Sequence, residues 1–79
     1  MNNAEFIKRY GKREFDSIGQ RVRLKLFMAK NNKEIARYRT NNSKKTVQIV
    51  LNGGENIRVD FATIFCYNIG DIIKKWKNS

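Results

Sequence analysis

The residues best suited to chemistry lie between Ser43 and Gly53, in the run SKKTVQIVLNG. Lys44, Lys45, Gln48 and Asn52 place two ammonium groups and two carboxamides close together. Cations of this kind can hold a phosphate rail, while an amide can pair with a base edge in a groove. Ser43 suits a helix N-cap, its hydroxyl accepting from N–H groups of the first turn, and Gly53 with Gly54 suits a helix end. On such a helix Val47, Val50 and Leu51 fall at i, i+3 and i+4 as a buried stripe, with the polar set on the other face and Ile49 at its margin. A solvated basic face on an ordinary surface helix would read the same way from this stretch alone.

Those residues sit in a chain of 79 amino acids, enough for one domain with a modest core. Seventeen Lys and Arg against seven Asp and Glu give a formal charge of +10 and a pI near 10.2. A balance of that sign points to a polyanion, nucleic acid first and an acidic membrane surface second, with a cationic surface kept for solubility as the bland alternative. One cysteine and no histidine exclude an internal disulfide and a zinc site of the usual ligand count. Cys66, inside FATIFCYNI, reads as a core residue. No Gly-rich phosphate loop, Ser/His/Asp set or close carboxylate pair is present, so neither an enzyme nor a cofactor nor a small-molecule ligand is expected. The longest uncharged stretch, Phe61 to Gly70, is far short of the roughly 20 residues that span a bilayer, and the N-terminus carries no apolar signal segment. A cytoplasmic location without membrane contact is the expectation.

The supporting elements divide into clear and ambiguous ones. AEFIKRYGKREF reads as a first helix capped by Asn3, with Gly11 stopping or bending it, and Asp16 and Ser17 offer the next cap. IGDIIKKW places Ile69, Ile72, Ile73 and Trp76 at i, i+3, i+4 and i+7, the cleanest amphipathic pattern, ending on three lysines that suit a helix C-terminus. SIGQRVRLKLFMAKN fits two periods. Val22, Leu24, Leu26 and Met28 alternate with polar residues as in a strand, in which case EIARYRT, KTVQIVLN and ENIRVDF become further strands of a small meander or barrel. Ile18, Val22, Leu26 and Ala29 equally form an i+4 ladder, in which case Asn31 and Glu34 make a capping box for a helix KEIARYR. Thr40 to Asn42 is then a turn, and IRVDFATIFCY buries Ile57, Phe61, Ile64 and Phe65 as one more helix.

The order of these signals resembles the helix-turn-helix family of phage repressors, Cro-like regulators and their bacterial relatives. The resemblance is carried by Ile18, Gly19, Arg21, Val22 and Arg23; by Asn31, Glu34, Ile35 and Ala36; by Ser43, Thr46, Val47, Asn52 and Gly53; and by Gly70, Asp71, Ile72 and Ile73. It covers residues 18 to 76, with a separation between Ala36 and Val47 one residue longer than usual and no glycine in the turn. It implies an all-α fold, a compact five-helix lambda-repressor-like domain with an extra N-terminal helix and a motif core over residues 31 to 53.

The function so implied is sequence-specific binding of double-stranded DNA by a transcriptional regulator, a homodimer on a near-palindromic operator, with helix 43–53 in the major groove. Lys44 and Lys45 would reach guanine acceptors or phosphates, Gln48 an adenine edge and Ile49 a thymine methyl. Asn32, Lys33, Arg39, Ser43 and Asn52 would hold phosphates. Between Ile35 and Gly54 there is no acid, although Arg37, Arg39, Lys44 and Lys45 all lie there. Two competing readings use the same residues differently: a small RNA-binding β-barrel stacking bases on Tyr38 or Phe27, and an antitoxin-like module docking a protein on the Ile69 to Trp76 stripe.

Overall fold

The computed structural model describes residues 1–78 as five helices and one three-stranded antiparallel sheet. Helices α1 (Asn3–Tyr10), α2 (Lys12–Ser17) and α3 (Gly19–Ala29) come first. Strands β1 (Ile35–Asn41), β2 (Thr46–Leu51) and β3 (Asn56–Asp60) follow as a meander in the order β1-β2-β3, and α4 (Phe61–Cys66) and α5 (Ile69–Lys77) close the chain. The all-α expectation is therefore overturned. No helix spans 43–53 or 33–39; the first is a turn and strand β2, the second the start of β1. The meander reading holds for its last three strands, whereas Gly19–Ala29 keeps the helical ladder.

Local chemistry accounts for the strands. TVQIVL contains four β-branched residues, which lose rotamer freedom in a helix and pack well on a pleated surface. Its burial alternates strictly: Val47, Ile49 and Leu51 are buried, and Thr46, Gln48 and Val50 half-buried. The Asn52-Gly53-Gly54 signal ends β2 as expected, but as a hairpin turn, with Gly54 at φ +90°, where only glycine is unstrained. Glu34 and Asn52 join the two ends of the β1–β2 pair, the Asn52 N–H donating to the Glu34 carbonyl at 2.9 Å.

Helices cover one face of the sheet. Val22 and Leu26 from α3, Phe61 and Ile64 from α4 and Ile73 from α5 meet Val47, Ile49 and Ile57 in a single core. The Ile69 to Trp76 stripe is largely spent there: Ile69 and Ile73 are buried and Ile72 is half-buried. Gly11 breaks the first helix at φ +93°, so that Phe6 and Phe15, on either side of it, meet with ring centroids 6.1 Å apart and planes tilted by 55°. Asn2, not Asn3, caps α1 by accepting from the Glu5 N–H.

Asn3 has a different task. Its N–H donates to Asp60 Oδ2 at 2.9 Å, its Nδ2 to the Lys45 carbonyl at 2.9 Å, and its Oδ1 accepts from the Ala62 N–H at 3.0 Å. One amide thus joins the start of the chain to the β1–β2 turn and to the first turn of α4. At the other end of α4 the Lys25 ammonium, reaching over from α3, donates to the carbonyls of Ile64 (3.0 Å) and Phe65 (2.7 Å). Among the described residues no helix is long and apolar enough to cross a membrane.

Candidate nucleic-acid interface

The register of the meander fixes which side chains share the uncovered face. Arg39 pairs with Gln48 and Gln48 with Arg58, so the three stand in one row across the sheet. The next row is Arg37, Val50 and Asn56, and the row at the turn end is Asn41, Thr46 and Asp60. Side chains alternate about the pleat, hence these rows lie on the side away from the helix-covered core, with Asp60, at the end of β3, turned to the start of α1. Arg37 and Arg39, two residues apart, are separated by about 6.8 Å along β1, and Arg39 and Arg58 by about 9.6 Å across two strand spacings.

Arg37, Arg39 and Arg58 are exposed, and the two ion pairs among the described residues, Lys12–Asp16 and Lys77–Glu34, involve none of them. The one carboxylate in these rows, Asp60, is at the end of β3 and is taken by the Asn3 N–H. Gln48 is held by its neighbour, its Nε2 donating to Asn56 Oδ1 at 3.1 Å, which leaves Gln48 Oε1 and the second Nε2 hydrogen for a ligand. A shallow depression of about 440 Å³ runs between Arg37, Tyr38, Arg39, Gln48, Val50 and Asn56. No aromatic ring stands on this face among the described residues, because Tyr38 pairs with Ile49 on the helix side and packs against the core.

The turn at the end of the β1–β2 pair adds further positive charge. Asn41 Oδ1 accepts from the Lys44 N–H at 3.0 Å, folding the chain back so that Lys44 is exposed. Lys45 takes φ 55°, which costs a non-glycine residue about 1–2 kcal/mol. Its carbonyl is turned inward, where it accepts from the Phe61 N–H at 2.9 Å and from Asn3 Nδ2.

Of the residues singled out from the sequence, Gln48 and Arg39 share the open face and Lys44 and Lys45 stand at its turn. Ile49 does not: it is fully buried, with 0% exposure, and cannot meet a thymine methyl. Ser43 lies in the turn and caps no helix. Asn32, Lys33 and Asn52 come together beyond the opposite end of the strands, in contacts with one another's segment. Asn32 Oδ1 accepts from the Glu34 N–H, and the Asn52 amide donates to the Lys33 carbonyl. Val50, expected in the buried stripe, faces outward, and Cys66, expected in the core, is exposed.

Arg58 was not among the expected site residues. Its signal was the alternation in ENIRVDF, which on the strand reading sets Arg58 opposite the buried Ile57 and the half-buried Val59. Among the described residues no group of three or more His, Cys, Asp or Glu could hold a metal ion. In comparisons with known proteins the chain matches no family model, no curated protein and no solved structure.

Proposed function

We propose that this protein binds double-stranded DNA through the open face of its sheet and serves as a small regulator of transcription. The β1–β2 pair enters the major groove, which is about 12 Å wide and admits a two-stranded ribbon. In that pose Arg39 and Gln48 meet base edges, Arg39 as a fork toward guanine and Gln48 toward adenine. Arg37, Arg58 and Lys44 hold phosphates on the groove walls. One such face covers one half-site, and a second copy on a near-palindromic operator supplies the other.

The observation that carries the reading is a row of guanidinium groups on an uncovered sheet, without carboxylate partners and without aromatic rings. Proteins that take single strands on a sheet stack the bases on aromatic side chains. Here the aromatic residue of β1, Tyr38, is turned to the core. A-form RNA hides its major groove from side chains, which favours B-form DNA over duplex RNA. An open three-stranded sheet also replaces the closed barrel of the RNA-binding alternative.

The test is fluorescence anisotropy with a random-sequence DNA duplex over a salt series. Three phosphate contacts, from Arg37, Arg58 and Lys44, give a log–log salt slope of about −2.7, or a loss of about 40-fold between low and physiological salt. Binding that is undetectable at low salt, or tighter to single strands than to duplex, would reject the reading.

A further inference from the structure

A second surface, on the other side of the structural economy, is the outward side of α3. Helices in a domain of this size normally bury one apolar side and present a polar one. Helix α3 is apolar on both. Val22 and Leu26 fill the core at 0% and 1% exposure, while Leu24, Phe27 and Met28 stand 59%, 65% and 68% exposed on the opposite side. The spacing i, i+3, i+4 makes these three one ridge. Contiguous apolar side chains on a soluble surface mark an interaction site rather than chance.

Beside the ridge runs a groove of about 590 Å³ between α3 and the α4–α5 junction, walled by Met28 and Ala29 on one side and Tyr67 and Ile69 on the other. The surroundings are cationic. From Ser17 to Lys33 the chain carries Arg21, Arg23, Lys25, Lys30 and Lys33 and no acid. Lys25 is occupied with the α4 carbonyls and Arg23 shares a 3.3 Å hydrogen bond with Asn42, yet Arg21, Arg23 and Lys30 remain exposed and outside the two ion pairs described above.

We infer that this ridge and groove dock an acidic, apolar segment of a partner protein. The partner's bulky side chains enter the groove beside Met28 and Tyr67 and cover Phe27, while its carboxylates meet Arg21, Arg23 and Lys30. Charge decides against a second copy of this chain, since two such rims would set Arg21, Arg23 and Lys30 of one copy against the same three cations of the other, and Glu14, beside Arg21, is too little to balance them. Shape decides against a bilayer, since a flat surface leaves the groove unfilled and a protruding side chain fills it. The site shares no residue with the sheet face and stands independently of the DNA reading.

Selection from a displayed library of random dodecapeptides against the 79-residue protein at physiological salt tests the inference. Enriched sequences are expected to combine carboxylates with two or more bulky apolar residues. A synthetic peptide of the winning sequence should bind about tenfold less tightly to a Leu24→Ser, Phe27→Ser double variant, and about tenfold less tightly to an Arg21→Ala, Arg23→Ala, Lys30→Ala triple variant. Superimposable thermal melts of each variant and the parent show that the loss is not one of folding. Three outcomes would overturn the inference. One is enrichment of no acidic-apolar sequence, or of peptides indifferent to both variants. Another is self-association in sedimentation that the Leu24→Ser, Phe27→Ser change removes. The last is co-flotation with equimolar phosphatidylglycerol–phosphatidylcholine vesicles that the same change removes.

Discussion

The open face of the sheet and the outward side of α3 are both cationic and both uncovered, but they differ in what lies between the charges. On the sheet, arginines alternate with amides and a threonine, and the large apolar side chains are turned inward. On α3, cations rim a ridge of Leu24, Phe27 and Met28. The first surface, with Val50 its one outward apolar side chain among the three rows, holds a ligand mainly by charge and hydrogen bonding, which salt weakens. The second adds removal of apolar area from water, which salt hardly weakens. A formal charge of +10 taken over the whole chain conceals this division.

The comparison breaks most completely if the shared core is opened. Ile49→Ala, at a position of 0% exposure, should lower stability by about 2–5 kcal/mol in urea unfolding and weaken both surfaces together. A variant that loses one surface and keeps the other would show that they do not rest on the same core. The next effect is confined to the sheet. Arg37→Ala, Arg39→Ala, Arg58→Ala removes two phosphate contacts and one base contact, and should reduce the salt slope of duplex binding by about 1.8 and weaken binding about 10²-fold at low salt. The melting temperature should change little, because exposed side chains without partners contribute little to folding.

A smaller effect is expected from Asn3→Ala. It removes two half-buried side-chain hydrogen bonds, for a loss of about 1–3 kcal/mol in urea unfolding. It should also lower duplex affinity, because the Lys45 carbonyl loses one of its two donors. The smallest effect sharpens the contrast from the other side. Leu24→Ser with Phe27→Ser should leave the anisotropy titration with duplex unchanged within error.

Several elements were legible in the sequence because a single physical signal governed each. Gly11 broke the first helix as its flexibility predicts. The set Ile69, Ile72, Ile73 gave α5, because only a helix brings those positions to one side, whereas Ile18, Val22 and Leu26 share a side in a strand as well and left α3 open until the structure showed a helix. The stretch 46–51 misled because two periods coincide there. Val47 and Leu51 belong to either, so the choice hung on Val50 for a helix or Ile49 for a strand. The β-branched content favoured Ile49, and the spacing of the repressor-like motifs outweighed it.

Residues 57–61 misled for a related reason. Ile57 and Phe61 are four apart and suit one helix, but the chain changes from strand to helix between them, where the Phe61 N–H reaches the Lys45 carbonyl. That bond joins residues sixteen positions apart and leaves no trace in local periodicity. The acid-free stretch from Ile35 to Gly54 was legible as a positive surface, and β1 and β2 lie within it. Its geometry, with Arg39, Gln48 and Arg58 in one row, needed the strand register.

Helix α4 has six residues, too few to persist alone in water. Both its ends are closed from afar, by the Asn3 amide at Ala62 and by the Lys25 ammonium at Ile64 and Phe65. It therefore has no local route to opening that spares the rest of the molecule. Its amide protons should exchange with deuterium only when the whole domain unfolds, which makes this short segment the slowest-exchanging reporter of global cooperativity.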